Sequence, residues 1–287
     1  MDIVIYTAVF GNYDILAEPK IINPKVKYIC FSDEKLDCPP WEVIVVKPEF
    51  KDLRLENRKY KILAHKFLNN YKYSIYLDAN YTILCDLSIY VEEWLGDNDI
   101  AVQKHPSRNC IYEEAKKCII AKIDSRKKIK KQIKKYKKEG YPPDYGLTDN
   151  GLIIRKHTEK IKEFNNAWWD EINNHSIRDQ ISFKYIAYKL KIDYSVIPIP
   201  SQRIGKSNYI KMREHYYKVK KIRDEKIKMK ELEFKLNYLK EKILIIFPPF
   251  LQTRIDRIFK VRNLAEFLAQ NKKLLKIKNS IIKYLNV

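Results

Sequence analysis

Short apolar runs alternate with stretches of helical periodicity through the first two hundred residues of the chain. The runs Ile3–Phe10, Val26–Phe31, Val43–Val46, Ser74–Leu77, Ile100–Val102, Leu152–Ile154 and Tyr194–Ile197 are of strand length. Between them, helices are predicted over Asn57–Asn70, where Tyr60, Leu63, Ala64 and Phe67 recur three or four apart, and over Leu87–Leu95, Ile161–Ile172 and Arg178–Leu190. This order predicts an α/β fold, a Rossmann-like mixed but mainly parallel sheet flanked by helices. Ligands of such sheets collect beyond the carboxyl ends of the strands. Polar residues just after a strand are therefore the first candidates for chemistry.

Two segments break the alternation. Arg126–Lys138 places Ile129, Ile133 and Tyr136 four and three apart among lysines, which predicts a basic amphipathic helix ended by Gly140 and Pro142-Pro143. Its plain reading is a solvated helix with one packed stripe. After Gly205 the chain becomes Lys-rich and helical in texture, interrupted at Pro248-Pro249, and its last stretch sets Leu274, Leu275, Ile277, Ile281, Ile282 and Leu285 beside Lys272, Lys273, Lys276, Lys278 and Lys283. Such a pattern suits a helix lying on an anionic membrane surface, and equally a helix packed on the globule. The expected organisation is a catalytic domain over 1–205, carrying a basic insertion at about 122–138, and a basic helical extension over 206–287.

Composition sharpens this division. The 287 residues carry 57 Lys and Arg against 36 Asp and Glu, a net charge of +21, and at 45% hydrophobic they can bury a core. The charge is not spread over the body: Lys122–Lys138 holds +9, Lys206–Val287 holds +14, and the remainder is −2. A nucleic-acid-binding domain usually carries its basic face on the folded body, so nucleic acid is not the expected partner. Five cysteines, Cys30, Cys38, Cys85, Cys110 and Cys118, are odd in number and include no C-x-x-C pair, which predicts reduced thiols and no zinc site. The chain opens on an apolar strand without a basic leader. The longest apolar run, Ile243–Leu251, is far shorter than the roughly 18 to 20 residues that span a bilayer. A cytoplasmic protein, peripheral on a membrane at most and not secreted, is expected.

The strongest local signal is Tyr73-Ser74-Ile75-Tyr76-Leu77-Asp78-Ala79-Asn80, a hydrophobic strand running into a D-x-N triplet. A carboxylate and an amide oxygen two residues apart can reach one hard cation, Mn²⁺ or Mg²⁺, which would neutralise a diphosphate leaving group. Asp and Asn also simply end strands and make turns.

Further motifs follow in a distinctive order: His105-Pro106-Ser107-Arg108 with Glu113-Glu114, then Thr148-Asp149-Asn150-Gly151, then Arg178-Asp179-Gln180. With Tyr76-Leu77-Asp78-Ala79-Asn80 they make residues 1–205 resemble the glycogenin-like retaining glycosyltransferases of family 8, and more closely the glycosyltransferase-like domain-of-unknown-function family 616. The resemblance implies a GT-A-type nucleotide-diphospho-sugar transferase that moves a hexose-like sugar from a UDP-sugar to a glycan or lipid-linked acceptor, in surface polysaccharide or glycoconjugate synthesis.

It also implies roles. Thr7, Ala8, Asn12 and Tyr13 match the segment that holds uridine. Arg58 and Lys61 stand where such enzymes carry basic donor-binding residues. Asp78, Ala79 and Asn80 match the metal-binding triplet, with Asn80 in place of its second carboxylate. Asp149, Asn150 and Gly151 match the stretch lining the donor sugar, and Asp179-Gln180 a pair beside the anomeric carbon. The histidine signature that completes the family-8 metal shell is absent in its usual form; His215 is the substitute, and Lys206 would then contact the diphosphate.

Outside these, His105 and Arg108 follow a strand end and suit phosphate or an acceptor carboxylate, or a capped surface loop. Glu113 and Glu114 suit an acceptor, or simply the start of a helix. Trp168-Trp169 suits sugar stacking or, more plainly, the core. Two rival functions remain: a catalytically silent sugar-nucleotide-binding scaffold, which Asn80 keeps open, and a basic nucleic-acid-binding protein.

Overall fold

The seven apolar runs become strands of one sheet. The computed structural model of the chain describes residues 2–200 and 207–217, with the isolated positions 220, 224 and 227. The chain divides into two compact units, Met1–Lys218 and Val219–Val287, and the strands and helices with described bounds all belong to the first. The expected helices of the extension, and Lys206, lie outside the described residues.

The sheet comprises β1 (Ile3–Val9), β2 (Lys27–Ser32), β3 (Glu42–Val45), β4 (Tyr73–Leu77), β6 (Ile100–Lys104), β7 (Thr148–Lys156) and β8 (Ser195–Val196), in the order β3-β2-β1-β4-β7-β6-β8. Neighbours are parallel except around β7, which runs antiparallel to both β4 and β6. A second, two-stranded sheet joins β5 (Tyr81–Ile83) to β9 (Ile210–Met212). The segment 207–217, expected with the extension, thus pairs inside the first unit.

Period-two alternation sends the strand residues to two separate cores. Val4, Tyr6 and Ala8 of β1, with Tyr76 of β4, face one that includes Tyr60, Phe164 and Trp168. Ile3, Ile5, Ile75 and Leu77 face another that includes Trp41 and Trp94. Trp168 is fully buried and its indole donates to Ser182 Oγ at 3.0 Å, so the core reading of this tryptophan holds. All five cysteines are free. No described helix is long and apolar enough to cross a membrane.

The helices follow their periodicity, with shifted ends. The expected helix Asn57–Asn70 begins earlier, at Leu53, where Asp52 caps the backbone N–H of Arg54, and it breaks at Leu63, whose ψ of 35° leaves the helical well. The break makes two helices, α1 (Leu53–Ile62) and α2 (Ala64–Phe67). Leu87–Leu95 is a 3₁₀ turn followed by α3 (Val91–Leu95). Then come α4 (Ile111–Ile120), α5 (Arg126–Lys138), α6 (Glu159–Asn174, capped by Thr158) and α7 (Asp179–Leu190). The strand expected at Leu152–Ile154 extends over nine residues and takes in Thr148–Gly151, whose polarity alone suggests a loop.

Candidate active site

Four element ends converge beyond the sheet: the end of β4, the beginning of β7, the last turn of α1 and the first turn of α7. Asp78 follows β4 directly, and its backbone N–H donates to Gly151 O at 2.9 Å. Antiparallel pairing of Leu77 with Leu152 therefore carries on one step past the strand end and sets the D-x-N turn against Asp149-Asn150-Gly151. On its other side β7 slips: Val102 pairs with Ile153, but the next residue, Gln103, pairs with Asp149. The slip leaves Asn150, Gly151 and Leu152 without a partner in that register. Irregular pairing of this kind re-aims side chains next to sites. Gly151 has a packing reason as well, since a Cβ there would lie 2.7 Å from Tyr81 Oη.

Asp78 Oδ1 accepts from Tyr76 Oη at 2.9 Å and lies 3.4 Å from Lys61 Nζ. The same ammonium is 2.7 Å from Asp179 Oδ2, and Arg58 Nε is 3.6 Å from that oxygen. Lys61 and Asp179 are both buried, whereas the Asp78 side chain is one-third exposed. Burial alone would raise the Asp179 carboxyl; Arg58, Lys61 and Arg178 override it and hold the group well below the usual carboxylate range. Asp179 and Asp78 in turn raise Arg58 against the opposing effect of its burial. Two cations thus face two carboxylates.

The neighbouring residues of α7 build a second chain. Arg178 donates through NH2 to Gln180 Oε1, which orients the amide so that Nε2 donates to Asp149 Oδ1 at 3.0 Å. Arg178 Nε also meets Glu114 Oε1 at 3.0 Å, while the other oxygen of Glu114 accepts from Arg108 Nε at 2.7 Å. His105 Nδ1 accepts the backbone N–H of Arg108 at 3.0 Å, and its Nε2 lies 3.2 Å from Arg108 NH2. Arg178-Asp179-Gln180 therefore joins the Lys61 cluster to the His105–Arg108–Glu114 cluster. Glu113 is exposed and makes no hydrogen bond or ion pair among the described residues.

Asn150 is 1% exposed, and neither its Oδ1 nor its Nδ2 has a partner among the described residues. Thr7 Oγ1 is buried in the same condition. Such groups take a partner from water or from a ligand, and these two lie in or next to segments that bound the cluster. Around β1, Ala8 O accepts from Asn57 Nδ2, Gly11 N donates to Asp33, and Asn12 Nδ2 donates to Glu34. Tyr13 stacks on Tyr217 at 4.4 Å and meets the His215 ring edge-on.

The expected metal ligands are each engaged. Asn80 Nδ2 donates to Arg213 O, and His215 Nδ1 lies 3.0 Å from both oxygens of Asp14. Among the described residues, no group of three or more His, Cys, Asp or Glu is gathered that could hold an ion. Asp78 with Asn80 fits an ion only where a ligand's phosphate oxygens supply the rest of the shell, as is common for Mg²⁺.

Arg213 belongs to the site although no local pattern distinguishes it. Its NH2 donates to Ala79 O at 2.8 Å and its backbone N–H to Asn80 O at 2.7 Å, so it clasps the D-x-N turn. It stands in a basic stretch 133 residues from Asn80, where one more arginine carries no signal. Asp14 is likewise legible in the sequence only as a loop residue.

Residues 32–215, which include most of these elements, match the family model described as TOD1/MUCI70, glycosyltransferase-like domain. The chain belongs to this family. The match spans the D-x-N turn, the His105 loop, the slipped strand β7 and the start of α7. Among curated relatives, the TOD1/MUCI70 domain here is similar to a probable hexosyltransferase, MUCI70, of Arabidopsis thaliana, 25% identical over 66% of this chain and 37% of that protein. It is also similar to the protein named alkaline ceramidase TOD1 of the same plant, 24% identical over 64% of this chain and 48% of that protein. The chain spans less than half the length of either relative. A glycosyltransferase-like domain is thus established for this TOD1/MUCI70 member.

Proposed function

We propose that this domain transfers a hexose-like sugar from a UDP-sugar to a hydroxyl of a glycan or lipid-linked acceptor, with retention at the anomeric carbon, on a GT-A-type arrangement. The observation that carries the proposal is the Lys61 ammonium set between Asp78 and Asp179 beyond the carboxyl end of the central strand β4, with Arg58 beside it. Charge develops on the departing diphosphate in such a transfer, and preorganised cations there stabilise the transition state. A probable hexosyltransferase among the relatives supports the same reaction class.

In this reading the acceptor oxygen forms a bond to the anomeric carbon as the bond from that carbon to the diphosphate breaks. The electron pair leaves with UDP, and the acceptor proton passes to a phosphate oxygen on the same face. Lys61 and Arg58 hold the phosphates. The Gln180 amide, oriented by Arg178 and Asp149, lies along the sugar, whose hydroxyls give Asn150 the donor and acceptor it lacks. His105 and Arg108 receive the acceptor. A Mn²⁺ or Mg²⁺ ion held by Asp78 and Asn80 supplies further neutralisation when bound with the nucleotide.

The direct test is UDP release across a panel of UDP-sugars with glycan and lipid acceptors. Release with one donor, dependent on acceptor, is expected. UDP binding without transfer would favour a silent scaffold, and liberation of fatty acid from ceramide in place of transfer would overturn the proposal.

A further inference from the structure

Helix α5 spends its apolar stripe on the core. Ile129, Gln132 and Tyr136 are buried, Tyr136 stacks on Tyr185 at 3.6 Å, and Lys135 Nζ pairs with Glu171 at 2.7 Å. Every other cation from Arg126 to Lys138 is exposed, and none forms an ion pair among the described residues. Lys116 and Lys117 of α4, which packs against α5, and Lys122 of the connecting turn are exposed as well. Asp124 is the one acid between Lys116 and Lys138, and it is turned inward, its Oδ2 accepting from Ser176 Oγ and Ile177 N at 2.9 Å. At the same end, Ile120 is 76% exposed and Ile123 is 36% exposed.

Stability does not explain the arrangement. The first turn of α5 holds no acid and opens on Arg126, Lys127 and Lys128, where the helix dipole disfavours positive charge. Lys127 and Lys131, Lys130 and Lys134, and Lys134 and Lys138 are like-charge pairs four residues apart, each unfavourable to the helix. A merely solvated face would mix signs.

We propose that this face of α4 and α5 docks on an anionic phospholipid surface. With its apolar stripe already buried, the helix lies flat and is attracted by charge, while Ile120 and Ile123 reach the headgroup layer. Nucleic acid fits less well. Arg126 is the single arginine between Lys116 and Lys138, and no aromatic side chain is fully exposed in that stretch, so guanidinium forks and base-stacking platforms are scarce. The proposal is independent of the catalytic reading.

The test sediments the full chain with vesicles of phosphatidylcholine alone or of equimolar phosphatidylcholine and phosphatidylglycerol. Binding to the anionic vesicles only, weakened by salt, is expected. The fourfold variant Lys127→Gln, Lys130→Gln, Lys131→Gln and Lys134→Gln alters exposed side chains alone and, with like-charge pairs removed, should keep or slightly raise its Tm. At roughly fivefold per charge it should lose about six-hundredfold in vesicle affinity. A tail variant with Lys272→Gln, Lys273→Gln, Lys276→Gln and Lys278→Gln should lose less. A tail loss equal to or above that of the helix variant would overturn the assignment. So would equal binding to neutral vesicles, or tighter binding to a mixed-sequence DNA duplex than to anionic vesicles.

Discussion

Lys61 and Asp179 form a buried ion pair, Nζ to Oδ2 at 2.7 Å, that ties the last turn of α1 to the first turn of α7. Removing one partner of a buried pair leaves the other charge uncompensated, which is costlier than losing both. Lys61→Met should destabilise the domain by about 3 kcal/mol, since Arg58 and Arg178 still offset part of the Asp179 charge. Adding Asp179→Asn should restore more than half of that loss without restoring UDP binding. Urea denaturation and a UDP thermal-shift titration on both variants separate the two roles. Full UDP binding by the double variant would show that Lys61 serves the fold alone.

Asp78 differs because its side chain is one-third exposed, and an asparagine oxygen in its place could still accept from Tyr76 Oη. Asp78→Asn should leave Tm nearly unchanged yet lower transfer by a hundredfold or more, the scale expected when an electrostatic contact of the transition state is removed. Mn²⁺ alone should give no thermal shift, because the described residues gather no closed shell; Mn²⁺ with UDP should give one, and Asp78→Asn should erase it. A Mn²⁺ shift without nucleotide would contradict this.

Glu114 is buried between two guanidiniums, Arg108 and Arg178, and they hold its carboxyl below the ordinary range despite burial. Glu114→Gln keeps the shape and removes the charge, and should destabilise by about 2 kcal/mol. Arg178 would then hold Gln180 less firmly. The expected kinetic signature is a fall in kcat at nearly constant donor KM, with a rise in acceptor KM as Arg108 loosens. A change in donor KM alone would detach this cluster from the acceptor.

Acid should weaken the fold in two stages. Burial lowers His65 and His157 to about 4, so across the interval from about 6.5 down to 4 the unfolded chain binds protons that the folded one refuses. Stability contributed by these neutral histidines is complete above about pH 6.5 and declines as pH falls, by a few kcal/mol for the two together. Asp179, depressed in the folded state, adds its loss only below about pH 4. His157→Gln, whose amide could still bond Ser74 Oγ, should roughly halve the first stage in a plot of Tm against pH and leave the share of His65.

Local pattern suffices for elements whose partners lie close in sequence or whose runs are wholly buried. β1 and β4 read as apolar runs because both of their faces are covered, and α5 has the bounds its charge run suggests. The early residues of β7 are harder, because Thr148–Asn150 are polar yet buried, and Thr148 and Asp149 take strand geometry from tertiary pairing with β6. Asp78, Lys61, Asp179 and Gln180 are legible as motifs. The bonds among them are not, since Gln180 reaches Asp149 across 31 residues and Arg213 reaches Ala79 across 134. Asp14 diverts His215 for the same reason: nothing near either residue announces a contact 201 positions away.

The pairing of Lys61 and Arg58 with Asp78 and Asp179 leaves this cluster of four groups electrically balanced rather than positive. A free phosphate ion arriving there meets cations already occupied by carboxylates and gains little by entering. On the proposed reading, a nucleotide would gain from the site only by bringing its own countercharge or enough contacts to draw Lys61 away from its partners. The carboxylates would then set a threshold against simple anions, and discrimination would begin before any sugar is recognised.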